Sequence, residues 1–141
     1  MKSYSYILEG TPQALMLRRS EDIVGWNNHK ETKLLTDLAI EYQHGNKPLL
    51  SGPLQLEVMF YFHTPTSPKA KVRGNTGAPC FQRPSLFPLL YFLEHSAEGR
   101  IYTDTAQITT IICKKVYDPT PRTVFTFTEI HESKKSAEKS Q

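Results

Sequence analysis

The strict alternation of side chains from Leu54 to His63 constrains this chain more than any other feature. In the run LQLEVMFYFH, apolar residues occupy every second position from Leu54 to Phe62. Successive side chains of a β-strand point to opposite faces, so this period of two predicts a long strand with one buried face. The chain is therefore expected to contain a sheet that buries this face.

Three further segments have the pattern of strands. Tyr4 to Glu9 alternates and is followed by the chain breakers Gly10 and Pro12, which predicts a first strand ending in a turn. The runs 107–117 and 123–130 also alternate, and the turn sequence Asp-Pro-Thr-Pro at 118–121 lies between them. The sequence therefore predicts that these last two strands form an antiparallel hairpin.

Two segments have helical spacing. The first begins after Asn28, which forms a capping box with Glu31, and ends at Gly45. Its apolar residues fall on one stripe: Leu34, Leu35, Leu38, Ala39 and Tyr42. The second helix is predicted to start after the cap Ser85, to hold Pro88 in its first turn and to be closed by Gly99. Its apolar positions are Leu86, Leu89, Leu90 and Leu93.

The order of these elements is strand, helix, strand, long loop, helix, strand, strand. It predicts an α+β fold, a small mixed sheet with helices packed on one face. The 141 residues fit one domain, which we place at residues 1–130. Residues 131–141 are charged and lack aromatic side chains, so we expect a disordered tail.

Composition excludes several classes of protein. No apolar run is long enough for a membrane span, and the first residues lack the apolar core of a signal peptide, so a cytoplasmic protein is expected. Cys80 and Cys113 cannot form a disulfide framework, and they lack the spacing of a zinc site. The common nucleophile, phosphate-loop and metalloprotease motifs are absent, and the five histidines have no ligand spacing.

The positive charge is concentrated in the long loop 64–84. The net charge is only +3, but no acidic residue occurs between Glu57 and Glu94. The cations of this stretch are Lys69, Lys71, Arg73 and Arg83. Because Phe81 and Phe87 lie among these cations, the segment is suited to bind a phosphate backbone. The alternative interpretation is a solvated basic loop. Lys114 and Lys115 could extend the surface, although alternation sends their side chains to opposite faces.

Three segments follow one another after the basic loop: RPSLFPLLY at 83–91, YTDTAQI at 102–108 and KVY at 115–117. With these segments the chain, from about Tyr4 to Ile130, resembles the RusA-type Holliday-junction resolvases, homodimeric magnesium-dependent endonucleases of DNA recombination and repair. The family's basic loop leads into a helix opening Arg-Pro-Asp-x-Asp-Asn-Leu-x-Lys, and this chain reads RPSLFPLLY at 83–91. The family's Tyr-x-Asp-Asp-x-Gln-Ile and Lys-x-Tyr appear as YTDTAQI at 102–108 and KVY at 115–117. The resemblance implies a DNA-binding homodimer. Its DNA contacts would be the four loop cations, with Arg18, Arg19 and Lys115 as weaker candidates.

The chain departs from the family at the catalytic positions. The family's two helix aspartates, its helix lysine and the second aspartate of its pair fall on Ser85, Phe87, Tyr91 and Thr105. Magnesium needs several hard oxygen ligands, usually including carboxylates, and only Asp104 survives as a weak candidate. We therefore expect no cofactor and no cleavage, with binding to a four-way junction or duplex DNA retained.

Two other hypotheses stay open at this point. In the first, the protein is an active magnesium-dependent nuclease whose ligands have moved to Asp104, Glu94 or Glu98. In the second, the scaffold is a protein-interaction platform, with Tyr61, Tyr91 and Phe92 as candidate apolar contacts. A core role is the alternative for those aromatic residues.

Overall fold

The computed structural model describes residues 2–14, 23–65 and 75–130, with the backbone alone for 23–29. Its elements are β1 (Ser3–Glu9), α1 (Ile23–His44), β2 (Leu54–His63), α2 (Leu86–Ala97), a 3₁₀ turn (Thr105–Gln107), β3 (Ile108–Asp118) and β4 (Arg122–Glu129). The strands form one sheet in the order β1-β4-β2-β3, in which only β2 and β3 are parallel. The predicted α+β class with a mixed sheet is confirmed. The predicted tail 131–141 lies outside the described residues.

Strand β2 is central and supplies one row of the core. Its alternating residues Leu54, Leu56, Val58 and Phe60 are buried, as the period of two predicted. Phe125 and Phe127 of β4 and Tyr6 of β1 continue the core across the sheet, and residues of both helices complete it: Ile40, Leu89, Leu90, Leu93 and Ala97. Both helices therefore pack on one face of the sheet.

The predicted hairpin of the last two strands is wrong. Strand β4 pairs with β1 and β2, whereas β3 pairs with β2 alone, so β2 lies between the two strands that the Asp-Pro-Thr-Pro turn connects. Asp118 is opposite His63 and Arg122 is opposite Tyr61, so the connection crosses the end of β2. It spans two strand spacings, about 10 Å, which three linking residues can reach. Length and turn chemistry alone do not distinguish this crossing from a hairpin.

Helix α1 differs from the sequence prediction at its start and in its orientation. It begins at Ile23, so Asn28 lies inside the helix and is not its cap. The predicted stripe faces solvent: the side chains of Leu34, Leu35, Leu38 and Tyr42 are 51–88% exposed. The hydrophobic spacing therefore predicts the helix correctly, but it predicts the wrong buried face.

Over residues 30–44, the part of α1 whose side chains the structure describes, the buried face is mostly polar. Asp37 is 6% exposed and His44 5% exposed, and between them Ile40 enters the core. Asp37 Oδ2 lies 3.0 Å from Lys33 Nζ and 3.3 Å from Arg100 Nη2, while His44 Nδ1 is hydrogen bonded to Tyr6 Oη at 2.6 Å. These partners lower the cost of burying Asp37 and His44 Nδ1, because a buried charge or ring nitrogen is costly unless it is paired. Among the described residues, His44 Nε2 is buried without a hydrogen-bond partner.

Helix α2 confirms its prediction closely. It spans Leu86–Ala97 with Ser85 as N-cap and Pro88 in the first turn, and Gly99 adopts a φ of 81° just beyond its end. Leu89, Phe92 and Leu93 are buried against the sheet. Phe92 is therefore a core residue, which corrects its assignment as a candidate surface contact. Among the described residues no helix is long and apolar enough to cross a membrane.

Candidate nucleic-acid interface

The structure covers only part of the predicted set of DNA contacts. Lys69, Lys71 and Arg73 of the basic loop lie outside the described residues, and so do Arg18 and Arg19. Arg83 and Lys115 are described. The site can therefore be built from the end of the basic loop, the start of α2 and the adjoining part of β3.

One cation and two aromatic side chains are exposed at the start of α2 and just before it. Arg83 is exposed, and Phe81 and Phe87, which flank it in the sequence, are 71% and 84% exposed. We refer to Phe81, Arg83, Ser85 and Phe87 as the Arg83 patch. Aromatic side chains exposed beside a cation are available to a partner.

The backbone adds positive potential to the Arg83 patch. Ser85 precedes the helix in an extended conformation, its side chain makes no capping hydrogen bond, and the first turn contains no acidic residue. The first N–H groups of a helix have no partner within the helix, and they carry the positive end of its dipole. The patch therefore combines a guanidinium, helix N–H groups and two aromatic faces, with local electrostatics that favour an anion.

Lys115 supports this patch from the adjoining strand. Its ammonium donates hydrogen bonds to the carbonyl oxygens of Gln82 and Pro84, the latter at 2.6 Å, and lies 5.7 Å from the ring centre of Phe62. Its own carbonyl accepts from the N–H of Cys80 at 2.9 Å. Lys115 thus holds both sides of the Arg83 peptide against β3. Its role as a DNA contact stays a prediction, and its observed contacts are those of an anchor.

The anchoring by Lys115 leads to a stability prediction. Replacing Lys115 with Met removes the donor of two carbonyl groups, and we expect the free energy of unfolding to fall by about 1–3 kcal/mol. Lys114→Met is the matched control, because Lys114 is the neighbouring residue on the opposite face and is exposed. Its effect should stay within about 0.5 kcal/mol. Equal effects in urea titrations of the two variants would contradict the anchoring role.

The two halves of the family-like motif lie at opposite ends of α2. Ser85 and Phe87 are at its start, whereas the N–H of Thr105 donates to Glu98 Oε2 at 2.9 Å just beyond its end. Twelve residues of helix span about 18 Å. Thr105 therefore lies near the end of α2 opposite to Ser85, whereas the resemblance implies catalytic positions that meet at one ion.

Asp104 has a local structural role. Its carboxylate accepts from the N–H of Ala106 at 2.8 Å, and the side chain of Gln107 accepts from the N–H of Asp104, which completes a capping box for the 3₁₀ turn. Gln107 also donates to the carbonyls of Leu50 and Gly52. Sequence reasoning missed this role, although Asp-x-x-Gln at 104–107 is a capping-box spacing that could have indicated it.

The carboxylates named for a relocated metal site have other surroundings. Glu98 holds the backbone of Thr105, and burial raises the pKa of Glu94 above its usual value. Burial also raises the pKa of Tyr102, to which the charges of these carboxylates and of Asp104 add, and the Tyr102 hydroxyl donates to the Glu94 carbonyl at 2.6 Å. Across residues 2–14, 23–65 and 75–130, no three His, Cys, Asp or Glu side chains are grouped to hold a metal ion.

The remaining aromatic candidates have internal partners. Arg122 lies over the ring of Tyr61 at 3.9 Å, and Tyr91 packs on His95 with ring centres 4.2 Å apart. Tyr91 keeps 44% of its surface exposed on the same helix as Phe87.

Comparison with known proteins identifies no family for this chain: no family model matches it, and no curated protein matches it.

Proposed function

We propose that this protein is a RusA-like DNA-binding protein of recombination or repair, which binds four-way junctions or duplex DNA as a cytoplasmic homodimer without cleaving them. The observation that carries the proposal is the Arg83 patch. In the sequence its exposed Arg83 lies between the exposed Phe81 and Phe87, at the start of a helix with no acidic residue in its first turn.

Each part of the patch has a role in this proposal. Arg83 and the first N–H groups of α2 bind backbone phosphates, which supplies affinity without reading sequence. Phe81 and Phe87 stack on the faces of the base pairs that are exposed where the arms meet at a branch point, since base–aromatic stacking tolerates any base. Lys115 is a positioning residue that keeps the patch in place through the carbonyls of Gln82 and Pro84.

The proposed absence of cleavage is based on the side chains that are available as ligands for a magnesium ion. Ser85 and Thr105 offer neutral hydroxyls where the related enzymes have carboxylates, and Phe87 offers no ligand. A catalytic magnesium ion needs carboxylates that offset its dehydration and bring it to the scissile phosphate.

The test is binding of a labelled four-way junction and of a linear duplex of equal length, measured by fluorescence anisotropy. Arg83→Glu should weaken binding to both DNAs by at least about tenfold, because it removes one phosphate contact and adds a repulsive charge. Lys47→Glu is the control for charge. Lys47 is exposed, and its ammonium lies 4.9 Å from the ring centre of Tyr4 on β1, at the opposite edge of the sheet from β3.

The outcomes distinguish the hypotheses. Junction binding that Arg83→Glu weakens and Lys47→Glu leaves unchanged supports the proposal. Binding that neither variant changes, or no binding at low salt, contradicts it. Metal-dependent cleavage by the parent that Asp104→Asn abolishes would replace the proposal with the nuclease hypothesis.

A further inference from the structure

Strand β3 forms one edge of the sheet, and its first half is exposed on both faces. The residues from Thr109 to Ile112 are all exposed, and Ile111 and Ile112 are 40% and 49% exposed. Ile111 is opposite the buried Leu56, so it lies on the face on which the helices pack, and Ile112 lies on the other face. One apolar side chain is therefore exposed on each face. We refer to residues 108–113 as the β3 edge.

The backbone of the β3 edge directs hydrogen-bonding groups away from β2. Residues 77–80 cover the second half of β3, where Lys115 and Tyr117 are hydrogen bonded to their backbone. Backbone groups of a strand alternate between its two sides, so the groups that point to this side in the first half are those of Thr109, Ile111 and Cys113. In the described parts of the chain, no backbone group from outside the sheet is hydrogen bonded to these residues. Their N–H and carbonyl groups can therefore pair with another strand.

The opposite edge of the sheet, formed by β1, is closed at its centre. The side-chain amide of Gln43 accepts a hydrogen bond from the Ile7 N–H at 2.8 Å and donates one to the Ile7 carbonyl at 2.7 Å, as a neighbouring strand would. The β3 edge reads ITTIIC and contains none of the charged residues or prolines that keep natural edge strands from pairing. Of the two edges, β3 is therefore the one that favours an added strand.

The covering residues 77–80 indicate the direction of an added strand. Pro79 pairs with Val116 in antiparallel orientation. A peptide that continues this short strand runs antiparallel to β3, from the position opposite Lys114 to the position opposite Ile108. Antiparallel pairing is also slightly more stable per residue than parallel pairing.

A second copy of the chain fits this edge poorly. In an antiparallel pair of two β3 strands centred on Ile111, Lys115 of the second copy would lie opposite Gln107 of the first. Residues 77–80 of the second copy lie beside its own Lys115, so they would need the space that the 3₁₀ turn Thr105–Gln107 occupies. A separate extended peptide does not meet this obstruction.

We propose that the β3 edge binds an extended peptide segment of a partner protein, which adds to the four-stranded sheet as an antiparallel strand next to β3. In this mode of recognition the main-chain hydrogen bonds supply affinity and the side chains supply specificity. The peptide carries β-branched apolar residues opposite Ile111 and Ile112 and an acidic residue opposite the exposed Lys114, which makes favourable cross-strand pairs. The proposal does not depend on DNA binding, because the Arg83 patch is not part of the β3 edge.

The first test is binding of the peptide Glu-Thr-Val-Val-Thr-Thr-Ser, labelled with fluorescein at its C-terminus, measured by fluorescence anisotropy. In the antiparallel register its residues lie opposite Lys114 to Ile108 in turn. We expect saturable binding with a dissociation constant of about 100 μM or tighter. The amide hydrogens of Thr109, Ile111 and Cys113 should exchange more slowly when the peptide is bound.

A pair of N-methylated peptides distinguishes strand addition from non-specific contact. The second valine lies opposite Ile111 and donates its N–H to β3, whereas the first valine lies opposite Ile112 and directs its N–H to solvent. N-methylation of the second valine should weaken binding by at least about tenfold, because it removes a hydrogen bond and places a methyl group between the strands. N-methylation of the first valine should change the affinity by less than about twofold.

A variant of the protein tests the same contact from the other side. Ile111→Pro removes an N–H donor from the β3 edge, and proline is tolerated on an edge strand where the N–H faces solvent. Ser5→Pro is the matched control, because the alternation from Ile7 places the Ser5 N–H on the side of β1 away from β4. Peptide affinity should fall by at least about tenfold in Ile111→Pro and stay unchanged in Ser5→Pro. Far-UV circular dichroism checks that both variants are folded.

Three results would overturn the proposal. They are no saturable binding up to about 1 mM peptide, equal weakening by the two N-methyl groups, and slow exchange of the Ile111 amide in the protein without peptide. Slow exchange would show that a second copy or another segment of the chain already occupies the edge, and sedimentation velocity distinguishes those two occupants. If Ile111→Pro does not fold, the two N-methylated peptides still decide the outcome with the parent protein.

Discussion

Replacing Arg100 with Met is expected to lower the free energy of unfolding by about 1.5–3 kcal/mol, because it removes one of the two cationic partners of a buried carboxylate. Arg100 Nη2 lies 3.3 Å from Asp37 Oδ2, and its Nε lies 2.9 Å from Glu41 Oε1. Asp37 is 6% exposed and faces the core side of α1. Lys33 alone would then pair with it, at 3.0 Å.

A double replacement provides the control for this prediction. Asp37→Leu combined with Arg100→Met removes both charges, and apolar residues of similar volume often replace a buried ion pair at little cost. The double variant should therefore recover most of the stability that Arg100→Met removes. Urea titration of the parent, both single variants and the double variant gives the coupling energy. A decrease below about 1 kcal/mol in Arg100→Met would show that this contact behaves as a surface ion pair.

The elements with local signals could be predicted well from the sequence. Strand β2 matches its predicted bounds because its period of two extends over ten residues. Helix α2 matches because an N-cap residue, a proline in the first turn and a glycine beyond the end all mark it within a short window. In both elements the local preference agrees with the tertiary burial.

Two features could not be predicted because they depend on distant partners. On the buried face of α1, Arg100 and Tyr6 come from other elements and pair with Asp37 and with His44 Nδ1. The order of the strands depends on β4, whose alternate residues are buried and which pairs with β1 on one side and β2 on the other. Strand β3 is therefore left at the edge of the sheet, where Ile112 is 49% exposed. Neither the partners of α1 nor those of β4 can be recognised from a short segment of the sequence.

The sequence predicts the positive charge of the candidate site, but it does not predict the contacts that hold the site in place. The stretch without acidic residues points to Arg83, and the structure places that side chain on the surface. The sequence also predicts Lys115 as a DNA contact, whereas its position on β3 lets it reach the carbonyls of Gln82 and Pro84. Such an anchor arises from the parallel pairing of β2 and β3 and the crossover through α2, and no spacing in the sequence indicates it.

Reversing all four cations of the basic loop is expected to weaken DNA binding more than any other change. The variant carries Glu at Lys69, Lys71, Arg73 and Arg83, which changes the net charge from +3 to −5, since four reversals subtract eight charges. Affinity for the junction at low salt should fall by more than about 10²-fold, because each phosphate contact releases condensed counterions. The slope of log K against log salt should become shallower by about 0.9 for each phosphate that the variant no longer neutralises.

A second variant with the same net charge separates location from total charge. It carries Glu at four exposed lysines outside the basic loop, which are Lys2, Lys30, Lys47 and Lys114. Long-range repulsion acts equally on both variants and is screened within about 10 Å at 0.1 M salt, whereas removal of phosphate-binding cations changes the slope itself. The loop variant should therefore show the shallower slope and the weaker binding. Equal weakening in the two variants would mean that only the overall charge attracts DNA, and an unchanged slope in the loop variant would show that these cations touch no phosphate.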